Sequence, residues 1–223
     1  MNGVHDLGGM HGFGSVSRGE SDTLFVHPWE AKVAGVNAAI WFAGAWCADE
    51  ARASIETMPP VDYLSCSYYE RWLYFMEDLL VRKGIVTDDE LRSGHVISSG
   101  QGSEFIAKVE PGRAYELFRK GGAMARKLEN PPKFRPGDWV TITSDTPNSY
   151  TRVPRYARGK RGIIVKHYGG VAFADSRARG EGDQPKHLYT VSFTASELWG
   201  ASAVPHDRVN VEMYESYFLA ESA

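Results

Sequence analysis

Apolar positions change rhythm near residue 131: before it they recur every three or four residues, and after it they alternate. From Pro28 to Trp46, a Pro and a Glu precede dense Ala, Val, Ile, Phe and Trp. This predicts a helix entered at its first turn and buried on most sides, with Gly35 and Gly44 weakening it. A shorter helix is expected from Ala48 to Met58, with Ala51, Ile55 and Met58 on one side and Asp49, Glu50, Arg52 and Glu56 polar, before Pro59-Pro60 forbids continuation. The clearest helix starts at Ser67. Ser67-Tyr-Tyr-Glu70 is a capping box, Trp72, Leu73, Phe75, Met76, Leu79 and Leu80 supply the stripe, and Gly84 is the stop. Thr87 to Glu90 repeats the cap signal for a short helix. Residues 94–104 lose periodicity, and a helix from about Pro111 to Glu129 is interrupted by Gly121-Gly122.

After Pro131-Pro132 come four short, alternating, β-branched runs: Trp139 to Thr143, Gly162 to Lys166, His187 to Phe193 and Arg208 to Met213. Turn residues separate them and helical crossovers are missing, so a small antiparallel barrel or sandwich is expected. At the other end, residues 1–20 carry Gly3, Gly8, Gly9, Gly12, Gly14 and Gly19 with little periodicity, and read as an arm that is either floppy or laid across a partner. The expected fold class is α+β, with an arm and helical domain over 1–130 and a compact β barrel over 131–223.

Composition narrows the function. Hydrophobic residues at 43% with charged residues at 24% describe an ordinary globular chain. A formal charge of −3 gives no mandate to bind nucleic acid or an anionic membrane, and no segment approaches a membrane span. Cys47 and Cys66 are too few for a disulfide framework or a four-ligand zinc site, which fits the cytoplasm. The seven histidines form no helical zinc-protease pair, His167 and His187 read as strand or loop side chains, and no Gly-x-Ser-x-Gly elbow is present. Between Asp145 and Asp175 there is no carboxylate, while Arg152, Arg155, Arg158, Lys160, Arg161 and Lys166 accumulate. Three readings stay open for this run: a solvated face, a nucleic-acid patch with Tyr150 and Tyr156 interleaved, or a buried arginine forked onto an oxyanion. Arg52, beside Asp49-Glu50, poses the same question, against the default of a surface ion pair.

Several segments in order carry a family resemblance: Met1-Asn-Gly-Val-His-Asp-Leu-Gly-Gly9, Pro28-Trp-Glu30, Asp49-Glu-Ala-Arg52, Tyr68-Tyr-Glu-Arg-Trp72, Thr151-Arg-Val-Pro-Arg-Tyr-Ala-Arg-Gly159, His187 to Phe193 and Glu197-Leu-Trp-Gly200. Together they resemble the nitrile hydratase β subunit nearly end to end, least so from about 94 to 130. The resemblance implies an SH3-like form for the barrel. It also implies a heterodimer, or a pair of heterodimers, with an α subunit that holds Co(III) or Fe(III) through a cysteine cluster partly oxidised to sulfenic and sulfinic acid. The Trp72 context looks more like the cobalt type, and this chain would bind no metal or cofactor itself. The implied reaction adds water to a nitrile to give the amide, with the ion as Lewis acid and the sulfenate oxygen as nucleophile or base. By motif, Arg52 and Arg152 would hydrogen-bond the oxidised sulfurs, Tyr68 would relay or position a proton, and Trp72 would wall the substrate pocket. Tyr150 stands where members commonly carry His. Two rival readings are a related metalloenzyme such as thiocyanate hydrolase and a non-catalytic, metallochaperone-like activator.

Overall fold

The computed structural model describes residues 2–16, 23–97, 110–120 and 124–219. Its contacts divide the chain into two compact units, His11–Gly122 and Met1–Met10 with Ala123–Ala223. Residues 2–10 and 124–130 thus group with the strands, whereas the sequence pattern places them with the helices.

The helical unit contains α1 (Pro28–Phe42), α2 (Ala48–Ile55), α3 (Pro60–Ser65), α4 (Tyr68–Arg82), α5 (Asp88–Ser93) and α6 (Pro111–Lys120). Both predicted capping boxes form. Ser67 N–H donates to Glu70 Oε2 at 2.6 Å while the Ser67 hydroxyl accepts from Glu70 N–H, and Thr87 and Glu90 repeat the exchange. Gly84 (φ 66°) and Gly94 (φ 69°) follow α4 and α5 in the left-handed conformation that ends a helix without a Cβ penalty.

Three spans differ from the sequence pattern. α2 stops at Ile55 with Glu56 as its cap, and Pro60 then opens α3, because a proline that cannot continue a helix is pre-organised to start one. α6 ends at Lys120. The stretch expected to continue to Glu129 instead reaches the strands at Ala125, after residues 121–123, which lie outside the described residues, as do 98–104 of the expected irregular stretch. α1 was expected to be buried on most sides, but only Glu30, Val33 and Asn37 are buried, and Val36 and Trp41 face outward. An apolar cylinder needs neighbours all round, and α1 gains one side of cover from α4.

The helical core is Val33, Trp46, Phe75, Met76 and Leu79, edged by Trp29, Ile40, Ile55, Tyr69 and Trp72. Polar groups inside it are satisfied: Trp46 Nε1–H donates to Asn37 Oδ1 at 3.2 Å, and the Ser54 hydroxyl donates to Asp78 on α4 at 2.5 Å. A Lys83–Glu50 ion pair at 2.6 Å ties the end of α4 to the start of α2. Among the described residues no helix is long and apolar enough to cross a membrane.

In the other unit, β1 (Trp139–Thr141), β2 (Arg161–Val171), β3 (Lys186–Thr194) and β4 (Arg208–Tyr214) form an antiparallel sheet in the order β1-β2-β3-β4. Short helices α7 (Ala174–Ala178) and α8 (Ala195–Trp199) lie in the connections, with 3₁₀ turns at Arg155–Ala157 and Glu215–Tyr217. β2 runs five residues beyond its predicted end, past irregularities in register at Ile164/Lys166 and His167/Gly169. Alternation buries Val140, Ile164, Tyr189, Val191, Phe193 and Met213 together. The four-strand ladder itself is open, with β1 and β4 at its edges. Beyond β4, Phe218 bridges Ile142, with Leu219 N–H donating to Thr141 O and Thr143 N–H to Tyr217 O.

Residues 2–10 of the arm belong to this same unit. Arg155 N–H donates to Asp6 Oδ2 at 2.7 Å and the Arg155 guanidinium donates to Asp6 O at 2.9 Å. Gly8 lies against the Tyr156 ring and Gly9 against the Trp199 ring, where a Cβ on either would fall inside van der Waals contact. Glycine content that reads as floppiness therefore serves, at these two positions, close approach to an aromatic pair 5.4 Å apart.

Candidate functional site

On the helical unit, Arg52 sits in the last turn of α2. Its side chain is 58% exposed, and its guanidinium lies 3.9 Å from the buried Asp49 carboxylate, beyond hydrogen-bond reach. The fork is thus presented outward and does not act as a buried clamp within this chain.

Tyr68 is the first residue of α4, placed there by the Ser67 cap, and is 61% exposed. Trp72 follows one helical turn later, so the two rings meet at 5.3 Å. Tyr69 joins both, at 5.1 Å from Tyr68 and 5.5 Å from Trp72, and Trp72 reaches Phe75 in the core at 6.1 Å. An aromatic wall therefore runs from an exposed phenol down to packed interior. Trp72, the first residue of the apolar stripe, is half-buried and packs on the core edge.

On the sheet unit, Arg152 lies in the loop between β1 and the 3₁₀ turn Arg155–Ala157 and is exposed, with its guanidinium carbon 5.8 Å from the centroid of the buried Tyr150 ring. Its backbone N–H donates to the Tyr217 hydroxyl at 3.3 Å, and that hydroxyl donates to Asp175 Oδ1 at 2.5 Å. An open cleft of about 420 Å³ adjoins this chain of bonds, lined by Thr143, Thr151, Phe173, Asp175 and Tyr217 among others. Burial raises the Asp175 carboxyl above the ordinary carboxylate range, against the Tyr217 hydrogen bond and the Arg179 and Arg152 charges. Burial, and then the Asp175 charge, push the Tyr217 phenol far up as well, so it stays a donor at any working pH. His5 of the arm is held below its ordinary value by burial, with Arg152 and Arg158 adding and Asp6 opposing.

The other cations of the basic run are spent variously. Arg155 and Arg158 hold the arm, the latter through Asn2 and, at 3.9 Å, Asp6. Arg161 lies over Trp139 and Lys166 over Tyr168, at 4.8 and 4.3 Å from the ring centroids.

Two features escaped sequence reasoning. His167 and His187 face each other across β2 and β3 at 3.1 Å, and His187 Nε2 faces Asn130 O at 2.9 Å. His187 therefore donates to the carbonyl and accepts from His167. Period-two placement of both on paired strands was the available signal. The Asp175–Tyr217 bond had none, since it spans 42 residues. Both cysteines are free thiols. Among the described residues no group of three or more His, Cys, Asp or Glu could hold a metal ion.

Comparison with known proteins bears on these positions. A solved chain of recombinant apo thiocyanate hydrolase from Thiobacillus thioparus covers 60% of this chain and 97% of its own, with a TM-score of 0.37 and 23% identity, too little to bear on fold or activity. Sequence similarity is far more extensive. The chain is 38% identical to the nitrile hydratase subunit beta of Pseudomonas putida, over 97% of this chain and 98% of that one. It is 34% identical to the low-molecular weight cobalt-containing nitrile hydratase subunit beta of Rhodococcus rhodochrous, over 98% and 99%. With the cobalt-containing subunit beta of Pseudonocardia thermophila it shares 35%, over 97% and 95%. Family models described as nitrile hydratase beta subunit, N-terminal and C-terminal, match residues 1–117 and 123–220, so the chain belongs to the nitrile hydratase beta-subunit family.

Proposed function

We propose that this chain is the β half of a complex that hydrates nitriles to amides, active only when joined to an α subunit. The observation that carries the reading is similarity along almost the whole chain to subunits named for that activity, with both motif arginines present and exposed.

In this reading the metal ion is held by the α subunit, and this chain adds side chains around it. A trivalent cobalt or iron ion bound there would supply Lewis acidity, and the cobalt-type relatives favour cobalt. What this chain offers is different. Arg52 and Arg152 are planar, permanently charged donors suited to sulfenate and sulfinate oxygens, which concentrate negative charge and accept two parallel bonds. The Tyr68 hydroxyl, exposed at the start of α4, would hold or pass a proton at its oxygen, and Trp72 beside it would exclude water and favour an apolar nitrile tail. We also read the sheet unit as an SH3-like barrel. The Phe218–Ile142 bridge, which brings the segment after β4 back to β1, supports that form. Two free thiols suit a cytoplasmic setting.

Co-expression with the α chain, followed by metal analysis and assay of amide release, tests the reading. A complex that carries cobalt or iron and converts nitrile supports it; one that converts thiocyanate and leaves nitriles untouched overturns it.

A further inference from the structure

We propose that Tyr217 is a positioning residue for Arg152, holding the backbone from which that guanidinium projects, with Asp175 orienting the Tyr217 hydroxyl. The inference rests on the reading that Arg152 serves the reaction.

Arg152 sits in a loop outside the strand ladder, so its backbone groups need partners from elsewhere. Tyr217 supplies one. It closes the 3₁₀ turn after β4, is 5% exposed, and its hydroxyl accepts from Arg152 N–H at 3.3 Å. A phenol has a single proton, and here it goes to Asp175 Oδ1 at 2.5 Å, so the oxygen's lone pairs are left for the loop.

Asp175 belongs to α7, in the connection between β2 and β3, and both Asp175 and Tyr217 are buried. The loop is thus tied to two distant parts of the sheet unit through one oxygen. Three residues on, Arg155 N–H is caught by Asp6 at 2.7 Å. Residues 152–155 are therefore pinned at both ends. Small displacements of a group that must meet an oxyanion are costly, which gives the anchor its functional weight.

The test uses the intact α/β complex with propionitrile, comparing wild type, Tyr217→Phe, Arg152→Lys and the double variant. Tyr217→Phe is expected to lower kcat about tenfold with KM changed less than about twofold, since the backbone anchor and not the substrate pocket is lost. Amide hydrogen exchange in the peptide containing Arg152 should accelerate. On the Arg152→Lys background, Tyr217→Phe should add less than about twofold, because the group it positions is already gone.

Unchanged kcat and exchange in Tyr217→Phe, or the same loss on both backgrounds, overturns the proposal while leaving the role of Arg152 intact. Full kcat in Arg152→Lys overturns that role and the proposal with it, so the two failures are distinguishable. Should Tyr217→Phe fail to assemble, Asp175→Asn keeps the phenol but removes the charge that orients it. It is expected to lower kcat about threefold, again only where Arg152 is present, and to speed exchange. Unchanged kcat and exchange there would likewise overturn the proposal.

Discussion

The two units bury their apolar residues in different ways. The sheet unit completes its interior: Ile142, Tyr189, Val191, Phe193 and Met213 are wholly enclosed, and its polar insertions include the bonded pairs Tyr217–Asp175 and Tyr189–Glu215. Among the described residues of the helical unit, one core cluster gathers five buried apolar side chains, Ala43 and Met58 are buried beside it, and Val36, Trp41, Val61, Leu64 and Tyr68 face outward. A sheet that alternates has one inner face to fill, and the chain fills it. Helices that are apolar on several sides need more neighbours than the described residues of that unit provide. The contrast extends to the two candidate arginines: Arg152 stands on a loop anchored by buried hydrogen bonds, and Arg52 stands on a short helix by its position in the turn.

Four measurements would break or sharpen this contrast. The largest effect is expected in the filled core: Phe193→Ala should destabilise the chain by about 3–5 kcal/mol in urea unfolding. Phe75→Ala, in the smaller core with outward apolar neighbours that can shift inward, should cost about 3 kcal/mol or less. A larger loss at Phe75 would reverse the ranking of the two interiors.

Next come the arginines, one from each unit. Arg52→Lys and Arg152→Lys should each leave the α/β complex assembled and cut turnover about a hundredfold, since a point-charge ammonium does not reproduce a two-bond fork. Loss at one position only would show that one unit carries the chemistry.

Acidification should act on the sheet unit through His167. Burial holds this imidazole below its ordinary 6.5, with His187 adding and Glu215 opposing. A base whose folded pKa is depressed contributes stability above its unfolded pKa, and that contribution is lost as pH falls through the folded value. Urea midpoints should therefore drop as pH is lowered below 6.5, and His167→Gln should remove that component of the drop. An unchanged pH profile in the variant would show that His167 does not contribute. The smallest effect is expected at the helical cap, where Ser67→Ala should cost about 1 kcal/mol by thermal unfolding and leave the sheet unit's urea midpoint where it was.

Much of the architecture could be read from short-range pattern. The capping boxes at Ser67 and Thr87, the stop at Gly84 and the strand runs at 139, 162, 187 and 208 all depend on neighbours within a few residues, and each appears where the pattern puts it. The site was half readable. Tyr68 and Trp72 sit one turn apart on a helix, so their meeting follows from spacing, whereas nothing local links Arg152 to Tyr217 or Arg155 to Asp6.

Residue order therefore settles which segments become helix or strand and where the capped helices begin, because propensity, capping and alternation act over a turn or a strand length. Packing settles the rest. Where the glycine arm lies, which face of α1 is covered, how β2 extends beyond its predicted end, and that one phenol holds the Arg152 loop all arise from contacts between residues far apart in the chain. Such contacts depend on which surfaces meet as the units condense, and a linear pattern carries no record of that.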